Sequence, residues 1–540
     1  MIQVMLWLPV AVGLACFAVP RRAVAPTAVL GTLATLGFAI ALVAGFHPGE
    51  AGLQHTVNES WIPDLGVRYQ LGVDGISIFL VLLTALLWAG ATLFSAFRLP
   101  DRARVYFFML GLGETAALGS FIAQDLLLFV LFFDLMLVPF WFLIGTFGGE
   151  NRIAATTKMI VYTLVGSLLM LVAAIATAII ASDQIGHISF SLADLRANTL
   201  STGSQYWIFC FFAAAFLIKM PAVLVHGWLP DAYRAAPLPV LALLSGVLSK
   251  VGAYGFLRVA LPLYPQATVH FQEVILVIGL GSILYGSVMA FTQTNVRLIA
   301  GYSSIAQLGF ITIGIFSLRP DGANGSVLQM VNHGLVVAGV FLIIALLAER
   351  AGSEDLNRLG GLAMRAPVLA AIFLVVSLAT LAMPGSANFV GEFYILIGVF
   401  QAKIAFAFVA AIGVILAAYY AIRLFQRTMH NRKPEGITSR EIGLRDALVV
   451  APLAACIVGL ALYPGLILGR SDAAVKDKIA ATCVEGTYTN GSVGATGSTN
   501  VAYTCPGQHY VTPSASPLSL AASPELKSSQ GGTGYAPVGP

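Results

Sequence analysis

The chain has 540 residues, 58% of them hydrophobic and 10% charged, with a mean hydropathy of +0.87. That is too apolar for a water-soluble domain. The formal net charge of +4 requires no nucleic-acid partner, because the excess lies in short loops between apolar runs.

About fourteen such runs follow one another: 1–20, 26–46, 75–96, 104–122, 124–147, 155–182, 206–226, 234–260, 272–292, 298–317, 324–349, 366–400, 404–427 and 445–469. Each approaches the roughly 20 residues that span a hydrocarbon core of about 30 Å. Long continuous runs, rather than alternating ones, exclude a closed β-barrel. They predict an all-α polytopic membrane protein. The first run lacks a small-residue cleavage site and leads directly into the second, so it reads as a span rather than a signal peptide.

Basic residues set the expected orientation. Arg21, Arg22, Arg98, Arg102, Arg104, Arg152, Lys158, Arg234, Arg297, Arg350, Arg358, Arg365, Arg427, Arg432, Lys433, Arg440 and Arg445 fall in odd-numbered loops or at their edges. The even loops hold only Arg68, Arg196, Arg319 and Lys403. The odd loops are therefore predicted to be cytoplasmic, with both termini outside. The loop 47–70, with His55, Trp61, Pro63 and Tyr69, is expected along the outer interface. From residue 471 the composition turns to Gly, Ser, Thr, Pro and Ala, which predicts an irregular tail over 471–540.

Several ionisable residues stand at membrane depth, where each costs about 2.5–3.5 kcal/mol even on the lenient insertion scale. Glu114 (Leu112-Gly-Glu-Thr) and Asp134 (Phe133-Asp-Leu-Met) occupy similar depths on adjacent spans. Together they are placed to share a charge or pass a proton, although a protonated acid bonded to a backbone carbonyl would also suit Glu114. Lys158 begins a span and can snorkel. Lys219 lies roughly 20 Å into its run, counting about 1.5 Å per residue, and Pro221 breaks the helix beside it. A structural ion pair is the plain alternative, with Asp134 as the natural partner. His226 stands at the end of that span, before Gly-Trp-Leu-Pro-Asp231, where an entrance role and a structural one are equally expected.

Lys250 follows Ser245 and Ser249 in a helix that opens with Pro237 and Pro239. His333 titrates near neutrality and suits a relay; a packed, hydrogen-bonded histidine is the alternative. Glu392 lies just past a Pro384-Gly-Ser-Ala-Asn388 interruption, a break tolerated only where protein or water satisfies the exposed backbone. The interruptions at Pro221 and Pro384 are five spans apart, so the units carrying Lys219 and Glu392 are expected upside down relative to each other, as in transporters with inverted repeats.

The cysteines carry no metal signal. Cys16, Cys210 and Cys456 are isolated in apolar spans, and no CxxC, HExxH, Walker loop or GxGxxG is present. Neither a metal nor a redox cofactor is expected in this chain. Cys483 and Cys505, the two cysteines of the outward tail, are predicted to form a disulfide, since thiols outside the cytoplasm can be oxidised and remain so.

The stretches Leu71-Gly-Val-Asp-Gly-Ile-Ser77, Leu135-Met-Leu-Val-Pro139, Ile218-Lys-Met-Pro221, His226-Gly-Trp-Leu-Pro-Asp-Ala232, Arg297-Leu-Ile-Ala-Gly-Tyr-Ser-Ser-Ile-Ala-Gln-Leu-Gly309 and Asn388-Phe-Val-Gly-Glu-Phe393 resemble the antiporter-like subunits of respiratory complex I. The resemblance covers about residues 70–430 and is to the M type of the bacterial NADH–quinone oxidoreductase. The L type carries further helices and a long lateral helix, which nothing after residue 470 could form.

This resemblance implies a fourteen-helix proton channel in the bacterial inner (plasma) membrane, built of two inverted five-helix units. It implies three N-terminal helices over 1–103, a first unit over 104–260, a second over 272–427 and a last helix over 428–470. The family's glutamate–lysine pair falls on Asp134 and Lys219, its connecting lysine on Lys250 and its terminal acid on Glu392. The aspartate departs from the family's glutamate and draws the carboxylate back by one methylene, which gives Glu114 added interest. The implied partners are membrane lipids and the other complex I membrane subunits, L and N especially. NADH, FMN, iron–sulfur clusters and quinone are expected in partner subunits. A subunit of a multisubunit sodium/proton antiporter and a passive membrane scaffold are the alternatives.

Overall fold

A computed structural model describes residues 1–431 and 440–482, together with the backbone of three short strands between 484 and 510. The helices run in order α1 (Ile2–Ala18), α2 (Arg21–Ala44), α3 (Ile78–Phe97), α4 (Ala103–Ile122), α5 (Leu126–Leu135), α6 (Leu137–Phe147), α7 (Arg152–Ile185), α8 (Leu192–Ala197), α9 (Thr202–Lys219), α10 (Leu229–Ala235), α11 (Leu238–Leu243), α12 (Ser249–Gly255), α13 (Leu261–Leu263), α14 (Pro265–His270), α15 (Gln272–Thr292), α16 (Val296–Phe316), α17 (Pro320–Ala351), α18 (Pro367–Thr380), α19 (Ala387–Ala402), α20 (Ile404–Met429), α21 (Leu444–Leu462) and α22 (Gly465–Ala480). Two π-helical turns, Leu244–Leu248 and Phe256–Ala260, join α11, α12 and α13 into one rod.

Among the described residues, eleven helices or continuous helical rods are long and apolar enough to cross a membrane. Ile2–Ala18, Pro367–Thr380 and Ala387–Ala402 are shorter apolar helices. The rod Leu238–Leu263, α16 and α17 are buried throughout the apolar core of their length, whereas α2, α20 and α21 expose most of theirs. Lys250 on the rod, His333 on α17 and Glu392 on α19 are themselves buried within the protein. Helices α17 and α19 approach backbone to backbone: a Cβ added at Gly325 would stand 2.6 Å from Ile395 N, and one at Gly398 2.3 Å from Gly322 N. Small residues at such crossings let apolar helices pack closely.

The loops sort into two faces. On one, Arg98 pairs with Glu349 and, at 2.8 Å, with Asp446. Arg297 bridges to Glu354 at 2.5 Å and donates to Ala236 O, and Gly361 N reaches His430 O. These are odd-numbered loops or their flanking residues. On the other face Leu126 N donates to Phe190 O, Gln124 N to Gln70 O, and Arg68 N to the Asp125 carboxylate at 3.0 Å. Those loops are even-numbered.

Two features depart from the all-α expectation. Residues 54–73 form an antiparallel hairpin of β1 (Gln54–Ile62) and β2 (Val67–Val73), with Val57 opposite Leu71 and Glu59 opposite Tyr69. The alternation of Val67, Tyr69, Leu71 and Val73 with Arg68, Gln70 and Gly72 after Pro63-Asp-Leu-Gly66 is a turn–strand pattern. Gly66 turns it at φ 67°, and a side chain there would collide with Ile188 O. Below the hairpin, Asp74 pairs with Arg258 at 2.8 Å, both nearly fully buried; Arg258 also donates to Tyr254 Oη at 2.8 Å. Breaking such a pair costs about 3–5 kcal/mol. Three short strands, β3 (Val484–Thr487), β4 (Val501–Cys505) and β5 (Gln508–Tyr510), pair antiparallel within the tail.

The irregular tail also begins later than its composition suggested, because α22 continues to Ala480. Its stripe Ile467, Ser471, Ala474, Val475 and Ile479 is buried. Ser471 Oγ and the Asp472 carboxylate bond Asn324 at 3.0 and 2.9 Å. The expected disulfide involves Cys483, outside the described residues, and Cys505, described as backbone only.

Arg196 on α8 clamps α22 through Asp477 at 2.7 Å, with Lys478 at 2.9 Å from the same carboxylate. Burial alone would raise the Asp477 pKa, but these cations hold it at about 2. A pKa depressed on folding contributes stability that is complete above the ordinary value of about 3.9 and is lost as pH falls through about 2. Docking of α22 should therefore be constant down to about pH 5 and weaken between about pH 4 and 2, read as hydrogen exchange of its amides. Asp477→Asn should bring that faster exchange to neutral pH; unchanged exchange in the variant would refute the clamp.

Candidate functional site: a buried line of charges

Lys219 is the last residue of α9, and the chain leaves the helix at Pro221. The carbonyls left open there are taken up within the protein: Trp228 Nε1 donates to Ile218 O at 3.1 Å, and Ala222 N to Leu217 O at 3.0 Å. Val223 N in turn donates to Ser282 Oγ at 3.0 Å. The Lys219 ammonium, 5% exposed, donates to Phe133 O at 3.0 Å and lies 4.2 Å from the centre of the Phe133 ring.

Phe133 and Asp134 sit at a second helix irregularity that the sequence reading passed over. Helix α5 ends at Leu135 and α6 begins at Leu137. Pro139, four residues beyond Leu135, cannot donate to that carbonyl. No ion pair within 4 Å joins Lys219 to Asp134 among the described residues, although the two charges are near enough to interact. Asp134 lies beside Ser167 of α7, yet its Oδ1 has no hydrogen-bond partner of ordinary geometry. The direct pair expected from the sequence is thus replaced by a carbonyl contact, consistent with the shorter aspartate side chain. Glu114 does not share the lysine either. It is buried against α2, where Thr32 Oγ1 donates to its carboxylate at 3.3 and 3.4 Å.

A narrow cavity continues from Lys219, lined by Met136, Pro221, Trp228, Leu248 and Ser249 among others. Ser249 Oγ lies 3.4 Å from the Lys250 ammonium, which donates to Ser245 O at 2.5 Å. That carbonyl belongs to the first π-helical turn. Lys250 is fully buried, and His333 of α17 is close enough for the two charges to act on each other. His333 also lines a second cavity with Ser303, Gln307, Asn388 and Tyr420.

Glu392, 2% exposed, accepts from Gln307 Nε2 at 2.8 Å, and Gln329 Nε2 donates to Gln307 Oε1 at 2.7 Å. Asn332 Nδ2 donates to the Ala387 carbonyl at 2.7 Å, at the start of α19 just past the second helix break, where Ala382 and Gly385 have φ of 52° and 91°. His226 is bonded to Tyr285 Oη at 3.1 Å, off the line, and Lys158 is an exposed partner of Asp231 at 2.8 Å. Among the described residues no cluster of three or more His, Cys, Asp or Glu could hold a metal.

Phe133, Gln307 and Gln329 are site members that the sequence reading did not single out. Gln307 lies inside a quoted motif, and Gln329 is one helical turn from His333. Their neutral side chains carried no depth penalty to mark them.

The bundle and its line of buried charges define an antiporter-like membrane subunit. The family model described as NADH:quinone oxidoreductase/Mrp antiporter, TM, matches residues 123–417. NADH-quinone oxidoreductase subunit M of Rhodobacter capsulatus is 36% identical over 86% of this chain and 94% of its own length. The subunit of the same name from Escherichia coli K12 is 36% identical over 77% and 83%. A chain in the respiratory complex I structure from Thermus thermophilus with bound NADH superposes with a TM-score of 0.81 at 31% identity, covering 88% of this chain and 99% of that one. A chain of the Mrp complex from Dietzia sp. DQ12-45-1b shares the fold, with a TM-score of 0.78 at 21% identity over 89% and 99%. The present chain belongs to the family of NADH-quinone oxidoreductase subunit M.

Proposed function

We propose that this chain is a proton-translocating subunit in the membrane arm of an NADH-quinone oxidoreductase, working in a bacterial inner membrane. The observation that carries this reading is the buried line itself. Lys219 meets a cavity that ends at Ser249, Ser249 touches Lys250, His333 follows, and Gln307 joins the second cavity to Glu392. Each cavity measures about 20 Å³, room for about one water molecule. Lysine, histidine and carboxylate are groups that take up and release protons, and the intervening amides and hydroxyls can orient water between them. Asp134 modulates Lys219 by charge at a distance, and Glu114 serves a separate position against α2.

We read α9 with α10, and α18 with α19, as interrupted spans within a fourteen-span chain. Residues 104–260 and 272–427 are its inverted units, flanked by 1–103 and 428–470. The odd loops face the cytoplasm and both termini the outside, with the tail 471–540 extracytoplasmic. The partners are the neighbouring antiporter-like subunits, L and N, and lipid. Quinone, NADH, FMN and iron–sulfur clusters belong to other subunits. Quinone reduction there drives transport here. A sodium/proton antiporter subunit is the second reading, and its support is at the level of the shared fold. A passive scaffold would have no use for four charges buried on the axis.

Lys219→Ala should leave the complex assembled on native gels while lowering NADH-driven proton translocation in vesicles by at least about tenfold. Glu392→Gln should do the same, since it keeps shape without exchanging a proton. Lys250→Arg should also impair transport, because a guanidinium hardly deprotonates. Normal translocation by an assembled Lys219→Ala complex would defeat the proposal, and transport that required sodium would favour the second reading.

A separate comparison concerns the acids. Asp134→Asn should reduce translocation several-fold and Asp134→Glu should preserve it. Glu114→Gln, remote from the lysine, should change it by less than about twofold. Severe loss in Glu114→Gln with a mild effect in Asp134→Asn would transfer the modulating role to Glu114.

A further inference from the structure

We infer that Phe133, through its carbonyl oxygen and its ring, is the resting station of the Lys219 ammonium, from which Asp134 draws it. The inference rests on the reading of Lys219 as a working charge and adds a positioning residue to it.

Three observations converge on Phe133. Both contacts to the ammonium come from this one residue, the carbonyl at 3.0 Å and the ring centre at 4.2 Å. A cation over an aromatic face is attracted by the ring's negative quadrupole, most strongly where water is excluded. The ring is fully buried and held in place: Phe129 packs at 5.8 Å between centroids and Phe216 at 6.1 Å. Phe216 belongs to α9, Lys219's own helix, so the ring that receives the cation also keys α5 to α9.

Asp134 is the next residue along, beyond ion-pair distance, with an oxygen that no ordinary hydrogen bond claims. Successive residues point about 100° apart around a helix. The chain is also irregular between Leu135 and Leu137, so a small rotation there would exchange one station for the other. On its far side Lys219 borders the cavity that leads to Ser249. An ammonium held only by a carboxylate would be fixed by strong charge pairing. Held by a neutral carbonyl and ring beside a carboxylate that keeps one oxygen, Oδ1, without a hydrogen-bond partner, it has two stations within reach of one flexible side chain.

The ring can be removed while the carbonyl stays. Phe133→Leu, in the complete complex in vesicles, should lower NADH-driven proton translocation by about fivefold with assembly intact. The same substitution in an Asp134→Glu background, where the longer carboxylate reaches the lysine unaided, should cost less than about twofold. Such non-additivity is what coupled neighbours show. A ring that only packs would give equal losses in both backgrounds, and that result would overturn the inference, as would a Phe133→Leu complex that pumps normally. Phe133→Met repeats the test with a more adaptable side chain; failure of both variants to assemble would show the ring to be structural and overturn it too. Lys219→Ala run alongside separates the two levels. Pumping that survives it refutes the working lysine, whereas pumping lost there with silent Phe133 variants refutes the station alone.

Discussion

An ammonium group enclosed in an apolar bundle can be solvated only by what the protein offers, and here the protein offers backbone. Lys219 is held by the carbonyl of Phe133 and Lys250 by that of Ser245. In a regular helix every interior carbonyl is already engaged along its own axis. The two acceptors stand at irregular places: one where α5 gives way to α6, the other inside a π-helical turn. Neither lysine is neutralised by a carboxylate in contact. Each ammonium is held by dipoles of the backbone rather than by an opposite charge.

The remainder of the molecule keeps those irregular places in register. Packing buries Lys219, Lys250, His333 and Glu392 inside the bundle. At one face the loops are tied by arginine bridges such as Arg297 to Glu354, and at the other by a β-hairpin whose base holds the buried Asp74–Arg258 pair. Arg258 lies on the same rod as Lys250, with Tyr254 between them and bonded to Arg258. The hairpin, outside the apolar core in sequence, is therefore mechanically linked to the helix that carries the central lysine.

Much of this was legible from residues alone. A charge in the middle of an apolar run is conspicuous because the medium penalises it, and Lys219, Lys250, His333 and Glu392 all lie buried where run length placed them. The breaks at Pro221 and Pro384 were visible because proline and glycine interrupt helices for local reasons. The hairpin and the helical reach of 471–480 are less legible, because β2 alternates over only seven residues and the buried stripe of α22 is short and set among polar residues. The Lys219–Asp134 contact was expected from the sign of the charges, but sign does not measure reach. Phe133 was invisible for another reason: it acts through a carbonyl that every residue possesses and a ring that apolar spans contain in abundance.

What distinguishes the two halves of the line is the kind of group that closes each one. Around Lys219 the ammonium itself meets one carbonyl and one ring, with an aspartate held apart and hydroxyls such as Thr163 and Ser249 lining the cavity beside it. Around Glu392 the polar inventory is dense, with Gln307, Gln329, Asn332 and Asn388 within the same packed region and several of their polar atoms open, including Glu392 Oε2 and His333 Nδ1. Open polar atoms in a buried site invite water, and the second half offers more of them than the first. The two ends thus differ in solvation, with Lys250 and the Ser245 carbonyl at the boundary.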